Sequence, residues 1–93
     1  MVIGVRSWEL HLPGAHSLKD KRSVIRSIKD RMHNEFNVSV AETGQHDAWQ
    51  TAELTAAVVA TDRRHADSVL ESVDRFIAGN PFCRIIDSAT SIR

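Results

Sequence analysis

The 93-residue sequence predicts one α+β domain, residues 1–93, with the ferredoxin-like order β-α-β-β-α-β. Two observations lead to this fold class. Four segments alternate apolar and polar residues with a period of two, which is typical of strands with one solvated face. Two longer segments repeat apolar residues at three- and four-residue spacings, which is typical of amphipathic helices. Because crossovers are right-handed, we expect a four-stranded antiparallel sheet with both helices on one face.

The predicted strands lie near residues 2–12, 37–44, 50–61 and 82–92. In the first strand Trp8, Leu10 and Leu12 alternate with polar residues, and Pro13-Gly14 ends it. The last strand alternates less clearly than the others. The sheet face away from the helices is expected to be polar, and either solvated or covered by a partner, because it would carry Glu9, His11, Ser39, Glu53 and Thr55.

Both predicted helices carry start and stop signals. The first begins after Ser17, an N-cap with Asp20 three residues on, and runs to about Glu35. Its buried stripe consists of Val24, Ile25, Ile28, Met32 and Phe36. The second begins after Thr61 or Asp62 and stops at Gly79-Asn80-Pro81. Its buried stripe consists of Ala66, Val69, Leu70, Val73, Phe76 and Ile77.

The composition indicates an ordinary globular protein rather than a disordered one, with 42% hydrophobic residues, 26% charged residues and no net charge. The single cysteine, Cys83, excludes an internal disulfide and fits a reducing cytosol. Arg6 interrupts the apolar opening, so no secretory signal is predicted. The longest apolar run, Ala56 to Ala60, is too short to span a membrane. We therefore expect a cytoplasmic protein without a membrane segment.

Residues that could carry catalysis or bind a metal form no recognisable motif. The histidines show neither an i, i+4 pair on one helix nor a Cys/His knuckle spacing; they are His11, His16, His33, His46 and His65. Cys83 has no base nearby in sequence, and the four glycines are isolated, so no phosphate-binding loop is predicted. The loop from Pro13 to His16 lacks the arginine that an acylphosphatase of this fold would need. We expect no enzymatic activity, no metal, no cofactor and no small-molecule substrate.

The first helix carries one row of basic residues beside its apolar stripe: Lys19, Arg22, Arg26, Lys29 and His33. Residues 17–36 hold six lysines and arginines against three acids, a net charge of +3, and the rest of the chain holds six against nine, a net of −3. Cations in the first turn oppose the helix dipole, and like charges along the row repel. The second helix mixes both signs, including Glu71 and Asp74, as a solvated face would.

The basic helix leads to two functional hypotheses. The first is binding of structured RNA, such as ribosomal RNA or a ribosomal subunit, by phosphate contacts of Lys19, Lys21, Arg22, Arg26 and Lys29. Recognition of shape and backbone is expected, because no RNP or GXXG signature is present. The alternative is a homo-oligomeric interaction or structural module without a nucleic-acid role. Its subunits would pair through an edge strand or the open sheet face, and the basic row would meet acids of a second subunit such as Glu53, Asp67 or Asp74.

The two tryptophans have different predicted environments. Trp8 lies on the apolar side of the first strand and is predicted to be core. Trp49 lies at the base of a loop between the second and third strands, where it either caps the core or offers a stacking platform. Capping is the favoured interpretation.

Several segments resemble the YlxP-like family, small bacterial proteins of unassigned function. The most specific part of the resemblance is the segment from Leu12 to Arg22, LPGAHSLKDKR. The resemblance extends over nearly the whole chain through the segments FNVSVAE, WQTAEL and AVVATD. Asp20 stands where the family commonly has glutamate, which leaves the predicted helix cap intact. The resemblance implies a ferredoxin-like fold, and the family's gene neighbours in translation imply an RNA or ribosome partner. It implies no catalytic residue and leaves a structural or oligomeric role open.

Overall fold

A computed structural model describes residues 1–93 and contains four strands and two helices in the predicted order. The strands are β1 (Val2–His11), β2 (Ser39–Gly44), β3 (Thr51–Ala60) and β4 (Arg84–Ile92). The helices are α1 (Leu18–Glu35) and α2 (Arg63–Ala78). Every strand begins and ends within two residues of its predicted bounds.

All four strands form one antiparallel sheet in the order β2-β3-β1-β4. The register pairs Trp8 with Leu54 on β3 and with Ser88 on β4. Since paired residues share a sheet face, the apolar residues of the two central strands stand side by side. The topology confirms the predicted ferredoxin-like α+β fold.

Both helices pack on the same sheet face, as predicted. The buried core joins side chains of α1, α2 and the central strands, among them Ile25, Ile28, Met32, Ala66, Leu70, Val73, Ile77, Trp8, Leu10, Leu54 and Val58. α2 packs tightly against β1 at Gly4, where an added Cβ would lie 3.1 Å from the Ala66 Cβ. A larger residue at position 4 would therefore push α2 away from β1.

Each helix begins at a side-chain cap. Ser17 Oγ accepts a hydrogen bond from the Asp20 N–H at 3.1 Å, and Asp62 Oδ1 accepts one from the His65 N–H at 2.8 Å. Caps of this kind typically stabilise a helix by about 1 kcal/mol. Ser17 is thus confirmed as the first N-cap, and Asp62 rather than Thr61 caps α2.

A polar cluster joins β1 to α2. Arg6 occupies an inward-facing position of β1, and its guanidinium lies 3.1 Å from Asp74 Oδ1 and 3.4 Å from Glu71 Oε1. Trp8 is fully buried and donates its indole N–H to Asp74 Oδ1 at 2.8 Å. The prediction of a plain solvated face is therefore wrong for Asp74, which binds Arg6 and Trp8, whereas Glu71 remains 59% exposed beside Arg6. The engagement of Asp74 also removes it from the acids predicted to meet a second subunit.

The sheet face away from the helices is not covered by any element of the chain. The five polar residues predicted for it do lie there, since their strand positions alternate with the buried ones. Glu9 pairs across the strands with Glu53 and with Asp87, so three carboxylates stand in one row. Glu9 accepts a hydrogen bond from Gln45 and Glu53 accepts one from Thr43, but no cation pairs with the row. Neither helix is long and apolar enough to cross a membrane.

Candidate nucleic-acid interface on the first helix

The basic row of α1 lies on the surface, on the flank that faces away from α2. The α2 side of α1 is identified by Arg31, whose guanidinium lies 4.8 Å from the Phe76 ring centroid. On the opposite flank Lys19, Arg22 and Arg26 are exposed and Lys29 is half-buried. At 1.5 Å rise per residue, the row from Lys19 to Lys29 spans about 15 Å along the helix axis.

No carboxylate neutralises the row. The four ion pairs of the structure involve only Arg6, Lys21 and Arg31 as cations. The one surface pair on α1 joins Arg31 to Glu35 at 3.2 Å. A shallow groove along the helix is lined entirely by its polar side chains: Lys19, Arg22, Ser23, Arg26, Ser27, Asp30 and Arg31. Cations predominate in this groove, and all of them except Arg31 have no fixed partner within the chain.

The N-terminus of α1 adds backbone donors at one end of the row. Ser17 satisfies the Asp20 N–H, and the Lys21 N–H donates to the Ser17 carbonyl. The N–H groups of Leu18 and Lys19 in the first turn have no partner inside the helix. The carboxylate of Asp20 bends back to accept the His16 N–H at 3.0 Å. Lys19 and the free first-turn N–H groups therefore belong to the same turn at the start of the row, beside the Asp20 carboxylate.

Lys21 does not belong to this surface, which corrects the predicted anion site. Its side chain is only 2% exposed, and its ammonium lies 3.2 Å from Glu42 Oε2. The ammonium also donates to the carbonyls of Gln45 at 2.5 Å and Ala48 at 2.8 Å. The buried charge is therefore paired with one carboxylate and hydrogen-bonded to two carbonyls. A sequence signal for this existed, because Lys21 lies four residues before Ile25 and so falls on the buried stripe.

Trp49 is the second departure from expectation. Its side chain is 56% exposed, so the favoured interpretation that it caps the core is wrong. It lies in the loop between β2 and β3, directly after Ala48, whose carbonyl binds Lys21 of α1. The loop that carries this exposed aromatic residue is therefore bonded to α1, the helix that carries the basic row.

The residues considered for catalysis or metal binding do not come together. No group of three or more histidines, cysteines, aspartates and glutamates is placed to bind a metal ion. Cys83 is buried, and burial raises the pKa of its thiol above the ordinary value. Since the thiolate is the reactive form, this cysteine is a poor nucleophile in the folded protein. His11 contacts Arg84 and His46 contacts the Glu42 carbonyl, and neither is paired with a carboxylate.

The fold and the surface together define a small ferredoxin-like protein with an unpaired row of cations on its first helix. The chain belongs to the family described as protein of unknown function (DUF503), which matches residues 3–90. It is similar to the uncharacterized protein YlxP of Bacillus subtilis (strain 168), with 38% identity over 80 residues that cover 86% of this chain and 87% of the relative. These matches confirm the resemblance to the YlxP-like family.

Proposed function

We propose that the protein binds the phosphate backbone of structured RNA, such as ribosomal RNA in a ribosomal subunit, through Lys19, Arg22, Arg26 and Lys29. The observation that supports this is the unpaired state of the row, because the other two lysine or arginine residues of α1, Lys21 and Arg31, each have an acidic partner. Lys21 is left out of the site, since its charge is already used inside the protein.

The electrostatics of α1 favour an anionic partner. The pairs Lys19–Arg22, Arg22–Arg26 and Arg26–Lys29 are like-charge neighbours, each of which destabilises a helix by roughly 0.2–0.5 kcal/mol. Phosphates placed along the row would turn this repulsion into attraction. The free N–H groups of the first turn add donors at the end where phosphate is favoured by the helix dipole.

The composition of the row favours recognition of the backbone over recognition of base sequence. Lysine and arginine contacts to phosphate fix position and orientation but carry no sequence information. The long side chains lie on a convex helix rather than in a pocket, so they can follow a backbone over about 15 Å. About four phosphate contacts would give a salt slope near −3 for a single strand, at roughly 0.7 per contact.

A charge-reversal variant with a matched control tests the proposal. The test variant combines Arg22→Glu, Arg26→Glu and Lys29→Glu. The control variant combines Arg63→Glu, Arg64→Glu and Arg93→Glu, which changes the net charge by the same amount at exposed positions off the row. Binding is measured by RNA gel shift across salt concentrations and by co-sedimentation with ribosomal subunits. Circular dichroism establishes that both variants are folded.

We expect the first variant to lose RNA binding and the second to keep most of it, because only the first removes aligned phosphate contacts. Equal binding by the folded first variant and the parent would contradict the proposal. So would equal loss in both variants, which would show that net charge alone is sensed. Absence of binding by the parent at low salt would contradict it as well.

A second function, self-association through the open sheet face, is favoured by a different observation. The half of this face away from the acidic row carries small or apolar side chains, and Ile3 and Val59 on it are 38% and 67% exposed. Val5 and Ala57 pair directly beside them. Two sheets with small side chains on their facing sides can pack at a distance of about 10 Å. Two copies of this chain related by a two-fold axis would bury this patch between their sheets and leave the acidic row at the rim.

Light scattering tests this second function. The protein at several concentrations is compared with Ala57→Arg, which places a long charged side chain in the middle of the patch without entering the core. We expect a dimer that becomes monomeric in the variant. A parent that stays monomeric at every concentration would contradict self-association, as would a variant that dimerises like the parent.

A further inference from the structure

We propose that Trp49 is a stacking platform for an unpaired base of the RNA strand bound by the basic row. This inference rests on the proposed RNA-binding function and adds the ligand class, an RNA with an unpaired base beside its backbone. Trp49 and Phe82 are the two exposed aromatic residues of the chain, and Trp49 alone lies in a loop bonded to α1. Exposed aromatic rings next to cationic surfaces are the usual means of binding single-stranded nucleic acid.

The position of Trp49 is fixed by Lys21. The Lys21 side chain leaves α1 one residue before Arg22, and its ammonium binds the Ala48 carbonyl of the peptide unit that leads into Trp49. The loop that carries the indole is therefore tied to the N-terminal part of α1, which also carries Lys19 and Arg22. In the proposed complex, a strand whose phosphates contact Lys19 and Arg22 places an unpaired base on this ring.

The loop that carries Trp49 is held at both of its ends. Gln45 adopts a left-handed conformation with φ of 58°, and its carbonyl and side chain bind Lys21 and Glu9. At the other end the Gln50 carbonyl accepts the Leu12 N–H at 2.8 Å, and the Gln50 amide donates to the Ala15 carbonyl at 3.1 Å. Since the loop backbone is already ordered, stacking on Trp49 does not require it to be ordered on binding.

Phe82 provides a control beside α1. It is 65% exposed and lines a cavity with Ser23, Val24 and Ser27, of which the two serines also line the groove of α1. Removing its ring changes the exposed aromatic area beside α1 and leaves the loop that carries Trp49 unchanged. It therefore separates a specific effect of Trp49 from a general one.

The experiment uses tryptophan fluorescence and affinity with two probes, a 12-nucleotide oligouridylate and a blunt RNA duplex of 12 base pairs. Trp8 is fully buried, so quenching by the probe reports on Trp49. The full chain is compared with Trp49→Ala, Trp49→Phe and Phe82→Ala. We expect oligouridylate to quench the parent and to leave the emission of Trp49→Phe unchanged.

For affinity, we expect Trp49→Ala to weaken oligouridylate binding by roughly 5- to 150-fold, the range for one stacked base, while Trp49→Phe and Phe82→Ala bind nearly as the parent does. Binding of the duplex should change less than threefold in every variant. If the parent binds oligouridylate without quenching, or Trp49→Ala binds it as tightly as Phe82→Ala, the stacking role is wrong and the proposed RNA-binding function stands. If the parent binds neither probe at low salt, both proposals are wrong.

Discussion

At the scale of single residues, Lys21 shows that two cations in the same turn of a helix can have opposite roles. Lys19 points to solvent without a partner, whereas Lys21 is enclosed by Glu42 and two loop carbonyls. A buried charge is tolerated only when it is paired and hydrogen-bonded. The function of Lys21 is therefore to hold the loop between β2 and β3 against α1.

We predict that Lys21→Met lowers the free energy of unfolding by about 3 kcal/mol, because it leaves the Glu42 carboxylate and two carbonyls without their cation. Urea unfolding followed by circular dichroism measures this, and Lys19→Met is the matched control, with an expected change within about 0.5 kcal/mol. Adding Glu42→Gln to Lys21→Met should recover part of the loss. Equal stability of the two lysine variants would show that the buried pair does not support the loop.

The residues that sequence reasoning misplaced depend on partners distant along the chain. Lys21 is 24 and 27 residues from the carbonyls it binds, so its burial is decided by where the loop folds. Trp49 was expected to cap the core, but the loop is fixed by polar contacts that leave its ring outside. Local propensity contains no information on where the loop folds, and the four-residue spacing from Lys21 to Ile25 was the one local signal that Lys21 could be buried.

At the scale of elements, α1 combines a regular buried face with an exposed face that opposes its own stability. We predict that Arg26→Glu stabilises the protein by about 0.5–1 kcal/mol at low salt, because the like-charge pairs with Arg22 and Lys29 become complementary and outweigh the new repulsion from Asp30. The same variant should bind RNA more weakly. Urea unfolding at low salt and at 1 M salt measures the effect, which should fade as salt screens the charges.

Arg26→Gln serves as the intermediate case, since it removes the repulsion without adding attraction. We expect it to give about half of the increase in the free energy of unfolding that Arg26→Glu gives. A lower stability of Arg26→Glu than of the parent at low salt would mean that Arg26 has a stabilising partner in the folded protein. That result would remove the argument that the row is unpaired.

The elements themselves could be predicted from the sequence because their signals are local. In the first strand, the alternation of Trp8, Leu10 and Leu12 with polar residues is sufficient to assign the buried face. In α1, the helical spacing of Ile25, Ile28 and Met32 does the same. Arg6 was not foreseen as an inward residue, although it occupies the same alternation as Trp8. A charged residue is not expected on the buried side of a strand, so the alternation was not applied to Arg6. The structure shows that the charge of Arg6 is compensated by Asp74 on α2.

At the scale of the whole molecule, charge is separated although the net charge is zero. α1 carries the excess of cations on the helical side, and Glu9, Glu53 and Asp87 form an acidic row on the opposite sheet face. Polyanions are therefore attracted to one side of the molecule only. Because the two surfaces lie on opposite sides of the sheet, RNA binding by α1 and self-association through the open face are mutually compatible.

The central claim is that α1 binds RNA phosphates, and the salt dependence of binding tests it most directly. The binding constant of oligouridylate is measured over a range of salt concentrations. It is measured for the protein and for a double variant that combines Arg22→Ala with Arg26→Ala. We predict a slope of log K against log salt near −3 for the protein and about half that value for the variant, since two of about four phosphate contacts are removed. A slope near zero for the protein, or an unchanged slope in the folded variant, would contradict it.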